Sequence, residues 1–158
     1  INCISFDISV LMNNIFTEQY IGTTLLNYRH DTPAPYLDPK ALAEAIEQAM
    51  DREALLNFNI KATGRFQYSI EDVERILESN GYPVTCIETI HNNQLHKNAG
   101  VSADQRLMSD ISDDYALGIY PKISTDLSMF GVISRSLEDF VEQDSQYFLN
   151  LQAGDKNL

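Results

Sequence analysis

The chain has 158 residues, 44% of them hydrophobic and 22% charged, and a net charge of −12. Its length and apolar content suffice to bury a core, which argues against a disordered segment or a disulfide-stapled scaffold. The excess of 23 acids over 11 basic residues argues against binding nucleic acid or an anionic lipid surface, since both take their affinity from Lys and Arg.

From the N-terminus, Phe6, Ile8, Val10 and Met12 alternate as on a strand, while Ile4, Ile8, Leu11, Met12 and Ile15 also fit a helix; the strand is favoured over residues 4–11, with a helical turn or short helix over 15–20. Gly22 interrupts, and Thr23–Tyr28 has the composition of a second short strand. Residues 29–38 form a loop, in which Pro33 and Pro35 remove backbone donors and hold their neighbours extended. Asp38 before Pro39 is a strong helix start, a side-chain cap followed by proline at the first helical position. That helix, over 38–50, carries Ala41, Leu42, Ala45, Ile46, Ala49 and Met50, and Leu42 and Ile46 are expected to pack on the sheet. Leu56, Phe58, Ile60 and Ala62 alternate with polar residues as on a half-buried strand, and Thr63-Gly64 reads as a turn.

The stretch 66–90 is the clearest piece. Ser69 is a helix cap, with Asp72 three residues on as in a capping box. Ile70, Val73, Ile76 and Leu77 then recur at helical spacing. Gly81 suits the left-handed position that ends a helix, Pro83 forbids more helix, and residues 84–90 have strand composition. The polar, Asn-rich stretch 91–101 is expected to be a long mobile loop, 102–111 a short helix and 115–120 a strand ended by Pro121. Ser136 caps a last helix of about three turns through Leu137, Phe140, Val141, Asp144, Tyr147 and Phe148. The tail 154–158 is expected to fray. The whole reads as a single globular α+β domain, one mixed or mostly antiparallel sheet with about three main helices packed on it.

The motifs that carry common chemistries are missing. There is no GxSxG, no GxGxxG and no Walker A sequence, so no serine elbow and no phosphate cradle. Asp110, Asp113 and Asp114 resemble a calcium loop only in charge, because Ile111 and Tyr115 break the alternation and no glycine sits at the turn. His91 and His96 would need two more zinc ligands, and only Glu88 is near. His30-Asp31 reads as part of a turn. Thr63-Gly64-Arg65 would bind an anion if its amides converged, and otherwise is a hairpin turn. Cys3 and Cys86 fit no CxxC or zinc spacing and are expected to be reduced, each a small buried apolar residue. No basic segment precedes an apolar run at the N-terminus, where Asp7 intervenes, so a cytoplasmic, bacterial-type protein is expected. No metal site and no cofactor are expected.

Residues 101–158 carry the denser negative charge. Tyr115 and Tyr120 lie there among Asp110, Asp113 and Asp114, with Glu138, Asp139 and Glu142 further on and Asp126, Asp144 and Tyr147 beside them. Tyrosine anchors in an acidic field suit a basic protein partner, so these residues are the candidate partner-binding face. In size, charge and missing catalytic motifs the chain resembles bacterial immunity proteins, which neutralise nuclease-type toxins. That resemblance implies a non-catalytic inhibitor of a basic, toxin-like protein. The alternative rests on residues 57–90, where a strand, a capped helix and the Gly81-Tyr82-Pro83-Val84 turn resemble the substrate lobe of thioester-reductase domains. That resemblance covers about a fifth of the chain and implies a substrate-binding lobe of a larger enzyme, or a small-ligand-binding domain, without the family's Gly-rich nucleotide motif.

Overall fold

The computed structural model describes residues 2–16, 19–20, 23–28, 33–88 and 122–156. The first strand, β1 (Ser5–Ile8), leads into a 3₁₀ turn at Met12–Phe16. Short strands β2 (Gln19–Tyr20), β3 (Thr23–Tyr28) and β4 (Ala34–Pro35) precede the first helix, α1 (Pro39–Ala49). Then come a 3₁₀ turn at Glu53–Leu55, β5 (Asn59–Ala62), β6 (Gln67–Tyr68), α2 (Ile70–Ser79) and β7 (Val84–Glu88). A third 3₁₀ turn at Asp126–Phe130 and the 20-residue helix α3 (Leu137–Lys156) complete the described chain.

The α+β class is as expected. Among the described residues the strands form three small sheets: β1 pairs with β5 in parallel, β3 joins antiparallel β2 to parallel β7, and β4 pairs antiparallel with β6. The first pairing sets Ser5 opposite Asn59 and Ile8 opposite Ala62. The β5 strand is shorter than its alternation suggests, because Asn57 takes a left-handed backbone at φ 65° and so lies outside the extended run. Leu56 and Phe58 are therefore exposed, while Ile60 and Ala62 are fully buried. The turn at Met12–Phe16 likewise falls earlier than the helical segment expected at 15–20.

Helix α2 forms as its sequence dictates. Ser69 Oγ accepts the Asp72 amide at 3.2 Å, and Asp72 Oδ2 accepts the Ser69 amide at 3.0 Å. Gly81 ends it with φ 82°. Val73, Ile76 and Leu77 enter a core with Met12, Ile15 and Phe16 and with Leu137, Phe140 and Val141 of α3. Helix α1 differs from expectation in its face. It buries the small stripe Ala41, Ala45 and Ala49, Leu42 is only partly buried, and Ile46 and Met50 are exposed. Alanine lets the helix approach β5 and the 126–130 turn closely enough to share a second core with Ile60, Ala62, Leu127, Phe130 and Val132. Helix α3 runs through to Lys156, two turns or so beyond the length its start signal alone suggests. Among the described residues, no helix is long and apolar enough to cross a membrane.

Candidate functional site

The β5–β6 connection is not a hairpin turn, since β5 pairs with β1 and β6 with β4. Instead Thr63, Gly64 and Arg65 cross from one small sheet to the other. Gly64 is required there: a Cβ would overlap the carbonyl oxygen of Tyr36. Thr63 is 3% exposed, and its Oγ1 accepts the Ser124 amide at 2.8 Å. The Lys61 amide donates to Asp126 Oδ2 at 2.9 Å, and the Asp126 amide donates to Ser124 Oγ at 3.2 Å. These bonds fix the 123–134 segment beside the β5–β6 connection. Between them lies a cleft of about 250 Å³. Leu127 and Val132 form its buried floor, Ile123 and Ile133 its exposed rim, and among the described residues Arg65 is the one charged residue in its lining.

A second network holds that segment from the other side. Asp38 caps α1, accepting the Lys40 amide at 3.0 Å. Its own amide donates to Ser134 Oγ at 3.1 Å, and its carboxylate takes a fork from Arg135, Nε to Oδ2 at 2.7 Å and a terminal nitrogen to Oδ1 at 3.0 Å. Arg135 also reaches Asp144 Oδ2 at 2.6 Å and Gln143 Oε1 at 2.9 Å. Burial by itself would raise the Asp38 carboxyl, but the Arg135 guanidinium, the Lys40 amide and the Arg135 charge together hold it below its ordinary value. The same bonds raise Arg135 further above its already high value.

Two other groups are displaced. Burial pushes the Tyr68 hydroxyl up to about 12, against the Leu137 amide that donates to it at 3.0 Å, while the neighbouring Glu138 adds to the rise. Burial, with Glu74 accepting from the thiol at 3.3 Å, pushes Cys86 up to about 11. Both cysteines are free thiols, and Cys3 is exposed, not the buried apolar residue expected.

Of the candidate partner-binding face, Asp110, Asp113, Asp114, Tyr115 and Tyr120 lie outside the described residues, as do His30, His91 and His96. Glu138, Asp139 and Glu142 are exposed at the start of α3, where acids suit the helix dipole. Glu138 also accepts the Tyr68 hydroxyl at 3.1 Å. Asp126 and Asp144 are engaged within the fold by Lys61 and Arg135. Among the described residues, no three His, Cys, Asp or Glu converge as a metal site would need. The sequence reading missed the cleft and the role of Arg135. One signal was present: Arg135 stands just before a helix N-terminus, where a cation is disfavoured, so it calls for a tertiary partner.

No family model and no curated protein sequence matches the chain. Solved structures do match it in fold. A nucleoside-diphosphate-sugar epimerase from Staphylococcus aureus superposes with a TM-score of 0.69 at 12% identity, covering 90% of this chain and 53% of that one. Leucoanthocyanidin reductase from Vitis vinifera, in its binary complex with NADPH, gives 0.64 at 11% identity, over 94% and 55%. NmrA, a negative transcriptional regulator in complex with NAD, gives 0.59 at 13% identity, over 100% and 56%. The chain thus spans about half the length of these structures. The expectation of an immunity-type toxin inhibitor is overturned, for it rested on size, charge and missing motifs, and the fold is that of one half of reductase- and epimerase-like proteins.

Proposed function

We propose that this chain acts as the substrate-side lobe of a reductase- or epimerase-like protein that works with a nicotinamide dinucleotide. One observation carries the reading: almost the whole chain superposes on about half of several such structures, two of which hold NADPH or NAD. The sequence has no GxGxxG turn, so the phosphate cradle belongs to a second lobe, and this one shapes the face towards the substrate. Ligands of α/β folds often sit between such lobes. The free thiols of Cys3 and Cys86 fit a reducing, cytoplasmic setting.

A second reading is favoured by NmrA, whose superposition covers the entire chain. Here the lobe would serve a dinucleotide-responsive regulator that performs no turnover. The test is to prepare the chain alone and joined to the coding sequence that flanks it, then to titrate both with NADH and NADPH by fluorescence. Binding by the extended polypeptide only is the expected result. Failure of the extended form to bind either dinucleotide sinks both readings, and turnover of carbonyl or sugar-nucleotide substrates separates the first from the second.

A further inference from the structure

The described residues of this chain line the cleft between the β5–β6 connection and the 123–134 segment. We propose that it binds a small amphiphilic carboxylate, with Arg65 taking the carboxylate and the isoleucine rim covering the apolar body.

The charge distribution points to an anion. In a chain of net charge −12, the described residues of the cleft lining hold one charged side chain, a cation, and no acid. Arg65 is anchored, with Nε donating to the Ser134 carbonyl at 3.1 Å and its guanidinium carbon 5.1 Å from the Phe66 ring centroid. Those contacts use one donor and one ring face. Among the described residues nothing pairs with the two terminal nitrogens, so a planar fork is oriented and unspent. A single guanidinium fork matches the two oxygens of a carboxylate in a bidentate pair. Of the hydroxyls in the lining, that of Thr63 is committed to the Ser124 backbone and that of Ser134 accepts the Asp38 amide, while those of Thr125 and Ser128 offer the bound carboxylate further donors.

The rest of the lining points to an apolar body. Ile133 is 68% exposed and Ile123 46%, flanking a floor of buried Leu127 and Val132. Covering such a rim removes apolar surface from water, the main driving force for small-ligand binding. The volume of about 250 Å³ gives room for a small ligand. Hexanoate has that size and chemistry.

The experiment titrates the full chain with hexanoate, and with 1-hexanol as the neutral control, following backbone amide NMR shifts. The expected result is saturable binding of hexanoate, with shifts concentrated at residues 63–65 and 123–134, and much weaker binding of the alcohol. Arg65→Gln should weaken hexanoate about tenfold or more while its circular dichroism shows the chain still folded at the temperature of the titration. Ile133→Asp, at an exposed position, should also weaken it without unfolding the chain. Equal affinity for the alcohol, unchanged affinity in Arg65→Gln, or no saturable binding up to the solubility of the probe would each overturn the proposal. None of these outcomes bears on whether the extended polypeptide binds a dinucleotide.

Discussion

Arg135 shows how one side chain can be positioned against its local preference by a distant one. Its neighbourhood at the start of α3 disfavours a cation, yet Asp38, 97 residues away and 3% exposed in its side chain, holds it in a fork. Removing the guanidinium leaves a buried carboxylate uncompensated, so Arg135→Ala should cost about 3 kcal/mol, read from urea midpoints at neutral pH. The pH dependence follows from the lowered Asp38 value. The contribution of the pair is complete above the ordinary carboxylate value of 3.8 and is lost as pH falls through the lower folded one. In the variant burial still raises Asp38 and the Lys40 and residue-135 amides still lower it, but the guanidinium is gone, so Asp38 protonates at higher pH than in wild type and the gap between the two should shrink as pH falls through the carboxylate range towards the lowered wild-type value. A gap that stays constant would mean the pair is not the source. At the same scale, the cysteines differ in reactivity: Cys3 is exposed, whereas Cys86 is partly buried and raised to about 11. Alkylation at about pH 8 followed by mass mapping should label Cys3 well before Cys86, and denaturation should erase the difference.

Among the elements, β5 and β6 are tied to their neighbours by side-chain hydrogen bonds as well as by strand pairing. Tyr68, at the end of β6, accepts the amide of Leu137, one of the orphan donors of the first turn of α3. Tyr68→Phe keeps the ring and leaves that buried amide unpaired, so a loss of about 1–3 kcal/mol in urea unfolding is expected, with little change in fold. Gly64→Ala acts differently, driving a methyl group into the Tyr36 backbone, and should destabilise by about 3 kcal/mol or more, or move the β5–β6 connection. Helix α2 was legible to the residue because cap, apolar period and terminating glycine all agree. Helix α1 was legible in its ends and not in its face. Leu42 and Ile46 are the larger apolar residues, but a close approach between elements selects alanine, and closeness is a tertiary property. The β5 alternation was half legible, since nothing local announces the left-handed Asn57 that cuts the strand short.

For the whole molecule, the sequence told the class and three helices but neither the strand partners nor the cleft. Both depend on residues distant in sequence, such as Ser5 with Asn59 between β1 and β5 and Thr63 with Ser124 beside the cleft. Composition misled most at this scale, because acidity and missing motifs describe many proteins and specify no fold. The described residues form two apolar cores, one around α2 and α3 and one around α1 and β5. The Asp38–Arg135 fork joins the start of α1, in the second core, to the start of α3, in the first. Tyr68 adds a tie within the first core, and Arg65 binds the carbonyl of Ser134 next to the fork. Ties of this kind predict that the cores unfold together. Ile76 is 1% exposed in one core and Ile60 fully buried in the other. Truncating either to alanine should cost about 2–5 kcal/mol. In both variants, far-UV circular dichroism and tyrosine fluorescence should report the same single urea transition, moved to lower urea. If Ile60→Ala instead splits the curve, leaving the α2–α3 signal in place while the α1 signal melts early, the cores are separate cooperative units. In that case the Arg135→Ala variant would be expected to widen the split, since the fork would be the main coupling between them.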